Sequence, residues 1–85
     1  MPWTDESARQ FGATLRRLRQ ERGLSQETLA FQAGITKNQV QLIEAGRASG
    51  RKDATGPANP RLSTLAGLAG ALHLSTAELM SQAGL

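Results

Sequence analysis

The sequence predicts an all-α domain of five helices. Three observations point there. Apolar residues recur at helical spacing in four separate stretches. Four of the five expected helices begin at a Ser or Thr able to cap, and three of them stop at a Gly. The chain has 85 residues and no cysteine, so one small core must hold by packing alone.

Trp3-Thr4-Asp5-Glu6 reads as the first helix start. Thr4 caps, the two acids suit the positive end of the helix dipole, and Trp3 folds back on Ala8 as a staple and core anchor. Phe11, Leu15, Leu18 and Arg22 continue the stripe, and Gly23 ends it. The polar side carries Arg9, Arg16 and Arg17, read as a solvated face. Ser25 caps a second, short helix that Gly34 stops. Thr36 opens a third, Gln39 completes a capping box, and Gly46 closes it. Residues 47–60, RASGRKDATGPANP, have no apolar period and read as an extended exposed loop between the third and fourth helices. Leu62, Leu65, Leu68 and Leu72 mark the inward stripe of the fourth helix. Ser75 and Glu78 form another capping box for a fifth, with Leu79 and Met80 inward. The whole of 1–85 is expected to be a single domain.

Composition excludes several functions. With no Cys and only His73, neither a cysteine zinc site nor a His-based triad can be built. No glycine-rich phosphate loop, paired carboxylates or nucleophile with a nearby base occurs, so neither enzymatic activity nor a cofactor nor a small-molecule substrate is expected. The apolar run Leu65–Leu72 is far too short for a membrane span, and the N-terminal stretch carries Asp5 and Glu6 instead of a signal-peptide core. A cytoplasmic location is expected. Net charge is +3, and the surplus lies in residues 36–61, where Lys37, Arg47, Arg51, Lys52 and Arg61 face only Glu44 and Asp53. That weakly favours a polyanionic partner.

The segment from 25 to 46 has a spacing with a physical meaning. Ala30 is small enough to sit where two steeply crossed helices meet. Gly34 tolerates the positive φ of the turn, and Val40 and Ile43 face the preceding helix. Together these residues make a helix-turn-helix. The chain resembles the DNA-binding domains of the Xre family, which includes the phage lambda repressor and Cro. Leu18-Arg19-Gln20-Glu21-Arg22-Gly23-Leu24-Ser25-Gln26 matches the family's first helix and its junction with the second. Asn59-Pro60 and Leu65–Ser75 match the fourth helix and the step into the fifth. The resemblance implies a lambda repressor-like fold and a sequence-specific binder of double-stranded DNA. It further implies a repressor of transcription, acting as a homodimer on a palindromic operator.

Stepping 100° per residue from Val40 places Ile43 and Glu44 inward, Asn38, Leu42 and Ala45 opposite, and Gln41 on the flank. Lys37 and Gln39 lie at the tip that enters a major groove. The expected base contacts are therefore Lys37, Asn38, Gln39, Gln41 and Leu42. Asn and Gln suit adenine, Lys suits guanine, and Leu suits a thymine methyl. At the position of Leu42 related phage repressors often have a polar residue. The resemblance assigns phosphate contacts to Gln26 and Thr36, which equally suit plain helix caps. Arg47, Arg51, Lys52 and Arg61 lie just beyond the recognition helix and are further phosphate candidates, or else solvated loop charges.

By the same resemblance Arg19 pairs with Glu44, which the angular arithmetic places inward and in need of a partner. Dimer contacts are assigned to Leu74, Leu79, Met80 and Leu85, with Leu79 better suited to the core. The thirteen-residue step from Gly46 to Asn59 is an insertion of roughly ten. It reads as a tolerated surface insertion, or as a basic arm along DNA. Phe31 is expected to pack under this loop; the other reading gives it a protein partner. Phage-type repressor, restriction–modification controller and antitoxin of a toxin–antitoxin pair, the last with a toxin as partner, are all roles of this fold, and a pure protein-interaction module is the alternative from another class.

Overall fold

The computed structural model describes residues 3–47 and 60–85. In chain order the helices are α1 (Asp5–Glu21), α2 (Gln26–Ala33), α3 (Lys37–Glu44), α4 (Leu62–Ala71) and α5 (Thr76–Gln82). No strand occurs among the described residues. The architecture is the five-helix, lambda repressor-like fold that the sequence predicts.

Local chemistry sets the helix starts. Thr4 Oγ1 accepts from the Ser7 amide at 3.0 Å, and Ser25 Oγ accepts from the Thr28 amide at 3.0 Å. Reciprocal capping boxes open α3, through Thr36 and Gln39, and α5, through Ser75 and Glu78. Each satisfies two backbone donors that a helix start leaves orphaned. The Ser75 backbone N–H, and then its hydroxyl, hold the Glu78 carboxyl below the usual glutamate range. By contrast α4 starts at Arg61 without a side-chain cap.

The core joins all five helices. Phe11 and Leu15 of α1, Leu29 of α2, Val40 of α3, Leu68 of α4, Leu72 just after it and Leu79 of α5 are fully buried. Trp3 packs on this core with its ring edge-on to Phe11, the centroids 6.0 Å apart. Gln10 of α1 donates from Nε2 to the Ala83 carbonyl at 2.6 Å, which fastens the end of α5 to the first helix.

Two close approaches decide how the helix-turn-helix is held. A Cβ on Gly12 would collide with the carbonyl oxygens of Ile43 and Glu44, so α1 lies directly against the last turn of α3. A Cβ on Gly67 would collide with the Ala33 carbonyl, so α4 presses on the end of α2. Between α2 and α3, Gly34 has φ +75°, in the left-handed region where a side chain is strained. The Ile35 amide reaches back to the Ala30 carbonyl at 3.0 Å and closes the turn.

Three sequence expectations need correction. Leu62, the first residue of α4, is 74% exposed instead of heading the stripe. Arg22 is an exposed C-cap of α1 and no part of its buried stripe. Phe31 is 86% exposed, and no described residue covers it. Its neighbours Leu29 and Ala30 take the two inward positions of α2. Leu79 is fully buried, in keeping with the core role expected of it, whereas Leu74, Met80 and Leu85 are half-buried at the edge of the core. Most of the loop 47–60 lies outside the described residues, including Arg51 and Lys52. No described helix is long and apolar enough to cross a membrane.

The glycines separate cleanly by experiment. Gly67→Ala is expected to cost about 1–3 kcal/mol, since backbone cannot yield to the added methyl. Gly70→Ala, where the methyl meets nothing within 4 Å, is expected to stabilise by about 0.4–1 kcal/mol. Urea denaturation of the two variants checks both signs.

Candidate nucleic-acid interface

The pose of α3 is set by one buried carboxylate. Glu44 faces α1 with a side chain only 5% exposed. Its Oε2 accepts from Arg19 Nε at 2.7 Å, and its Oε1 accepts from a second nitrogen of the same guanidinium at 3.2 Å. This two-pronged geometry suits a guanidinium and not an ammonium. The Arg19 fork is itself 11% exposed, and its remaining terminal nitrogen donates to the Leu24 carbonyl at 2.9 Å. A third donor comes from α2, where Gln26 Nε2 reaches Glu44 Oε1 at 3.0 Å. One carboxylate thus ties together α1, the α1–α2 junction, the first turn of α2 and the last turn of α3.

The opposite side of α3 is open. Val40 and Ile43 are buried, while Lys37, Asn38, Gln39 and Gln41 are exposed. Lys37 and Asn38 stand at the tip, with Asn38 on the side facing away from the core. Leu42 departs from its expected outward place. It is half-buried and lines a groove of about 530 Å³ together with Ile35, Arg47, Pro60 and Arg61. Its reach toward a base is correspondingly shortened.

Hydrogen bonding divides the other candidates. Gln39 Oε1 accepts from the Thr36 amide at 2.8 Å and from the Thr36 hydroxyl at 3.2 Å. Its carbonyl is therefore spent on the cap. The donor-plus-acceptor pattern needed for adenine is not free on Gln39 unless the cap opens. Thr36 Oγ1 is likewise occupied by the Gln39 amide at 3.1 Å. Gln26 keeps its carbonyl oxygen and one N–H beyond the bond to Glu44. Asn38 and Gln41 make no side-chain hydrogen bond among the described residues, so both retain a full donor and acceptor pair.

A second groove, of about 420 Å³, lies on the other flank of α3. Arg16, Arg19, Gln26, Gln41 and Glu44 line it. The exposed ridge of α3 is thus bordered on one side by Arg47 and Arg61 and on the other by Arg16 and Gln26. Arg51 and Lys52 cannot be placed, since they lie outside the described residues. Sequence reasoning left Arg16 in the solvated face of α1. The missing signal was tertiary, because only the packing of α1 on α3 brings Arg16 to this groove.

A family model described as a helix-turn-helix domain matches residues 10–81. The chain belongs to the helix-turn-helix domain family. It is a helix-turn-helix DNA-binding regulator. Among solved structures, the restriction-modification controller protein C.AhdI from Aeromonas hydrophila is similar, with a TM-score of 0.69 and 39% identity. The match covers 85% of this chain and 94% of that one. The clp gene regulator ClgR from Corynebacterium glutamicum shares the fold, with a TM-score of 0.68 and 24% identity over 92% of this chain and 72% of that one. No curated protein sequence matches the chain.

The Glu44 junction has a direct thermodynamic consequence for this helix-turn-helix domain. Arg19→Ala or Glu44→Ala alone is expected to destabilise by about 3–5 kcal/mol, because each strands a buried charge. Arg17→Ala removes an exposed pair with Glu21 and is expected to cost less than about 0.5 kcal/mol. Chemical denaturation of the three variants in one buffer tests the contrast.

Proposed function

We propose that the protein is a sequence-specific regulator of transcription that binds palindromic duplex DNA as a two-fold dimer. In this reading it represses by occupying its operator, without catalysis or a cofactor. The observation that carries the reading is the open ridge of α3, with unpaired Lys37, Asn38 and Gln41, bordered on both flanks by arginine-bearing grooves. A helix so presented fits a major groove, and the flanking cations meet the backbone strands on either side. Lys37, Asn38 and Gln41 then read bases, Leu42 adds an apolar contact at the groove edge, and Gln26, Arg47 and Arg61 hold phosphates. Thr36 and Gln39 stiffen the tip, and Gln39 contributes through its side-chain N–H groups.

A lone module of this size spans only a few base pairs, which is why a dimer is invoked. Leu74, Met80 and Leu85 form the half-buried apolar edge available to a second copy. The resemblance to a restriction-modification controller protein supports a regulatory role of the controller type, within the Xre family. A second reading, an antitoxin or other protein-binding role, is favoured by one observation only, the exposure of Phe31.

Selection of bound duplexes from a random pool tests the proposal. The expected product is a palindrome with half-sites about 34–36 Å apart. Asn38→Ala is expected to relax preference at one position per half-site, at a cost of about 1–3 kcal/mol. Binding without sequence preference, or none, contradicts the proposal.

A further inference from the structure

We infer that Gln39 is a donor-only base reader: the capping box holds its side-chain oxygen on Thr36, so the amide nitrogen alone faces outward and selects guanine. The inference rests on the DNA-binding reading above and deepens it by naming the base that one side chain selects.

The direction of the amide follows from its partners. The two ends of a carboxamide are alike in shape and differ only in what they bond. The Thr36 backbone N–H lies 2.8 Å from the Gln39 head group, and an N–H can only donate, so the atom it meets is Oε1. The Thr36 hydroxyl accepts from the Gln39 backbone N–H at 3.1 Å and gives its own proton to the same Oε1 at 3.2 Å. Two donors thus take the oxygen. Turning the amide over would set an N–H against an N–H. The other end, Nε2, has no hydrogen-bond partner among the described residues, and Gln39 is exposed.

Placement then separates the three amides of α3. At 100° per residue, Gln39 and Gln41 lie on opposite flanks of Asn38. Gln39 is on the flank beside α4, where it lines the groove with Leu42, Arg47 and Arg61. Asn38 and Gln41 keep a donor and an acceptor, the pair that adenine matches. Gln39 keeps donors only. In a major groove guanine offers two neighbouring acceptors, O6 and N7, and thymine offers one. Adenine sets a donor beside its N7, and cytosine offers a donor alone. A group with N–H bonds and no free acceptor therefore fits guanine best and cytosine worst. A glutamine outside a capping box has no such restriction.

Gln39→Glu is the deciding variant. The substitution preserves the capping box, since one carboxylate oxygen still accepts from Thr36, but it changes the outer atom from donor to acceptor. Cytosine, through its N4 amino group, then becomes the fitting base. Duplexes are selected from a random pool with wild type, Gln39→Glu and Gln39→Ala, and the thermal unfolding of each protein is measured. Wild type is expected to select guanine at one position per half-site, distinct from the position that Asn38→Ala relaxes. Gln39→Glu is expected to select cytosine there, with the thermal midpoint not lowered. Gln39→Ala is expected to lose about tenfold in preference at that position, with a lowered midpoint because half the capping box is gone. Phosphates repel the new carboxylate and weaken binding to every duplex, so the readout is the ratio between bases at the one position. The same palindrome from wild type and Gln39→Glu, or adenine at the position that Gln39→Ala relaxes, overturns the inference and leaves the DNA-binding reading standing. A wild-type protein that selects no duplex overturns that reading and the inference with it.

Discussion

A carboxylate buried among apolar side chains is tolerated only when its charge is answered on the spot, and Glu44 is answered from two helices at once. That requirement dictates much else. Arg19 must lie flat against the end of α3, so α1 must approach closely, and Gly12 is where the approach becomes backbone against backbone. Gln26 must lie within reach, so α2 must begin beside the end of α3. The junction is costly to assemble and still more costly to break. Its value is orientational, because it removes the freedom of α3 to roll about its own axis.

With the roll of α3 set, the division of labour along it follows from hydrogen bonding. The first turn is stiffened by a capping box that uses Thr36 and the carbonyl of Gln39. Side chains that stabilise a helix start are restricted readers, since some of their donors and acceptors are already matched. In the proposed reading, recognition falls to the residues beside the cap, Lys37 and Asn38, and to Gln41 one turn on. Two grooves border this ridge, one carrying Arg47 and Arg61 and the other Arg16, and in the proposed reading they meet the two backbone strands.

Features governed by neighbours in sequence were the legible ones. The helix starts at Thr4, Ser25, Thr36 and Ser75 depend on contacts three residues apart, and all four caps are formed. The inward placement of Val40, Ile43 and Glu44 needs only the helical angle. Features set by tertiary approach were not legible. Nothing local distinguishes Gly12 and Gly67, which admit another helix, from Gly70, which admits nothing. Leu62 looked like part of a stripe because a ten-residue helix offers too few turns to separate its end from its face. Leu42 was placed outward by angle alone, whereas it is half-buried in a groove that the start of α4 also lines. Phe31 broke the pattern in the other direction, an aromatic residue on a helix face that no described residue covers.

The most direct measurement is an amide NMR titration of the protein with its selected duplex. If α3 is the reading head, the largest shifts fall on Lys37, Asn38 and Gln41, with a second group at Gln26 and Arg16. Residues around Phe31 and the end of α4 then stay still. Shifts centred on Phe31 and His73, with the α3 ridge unmoved, contradict the account.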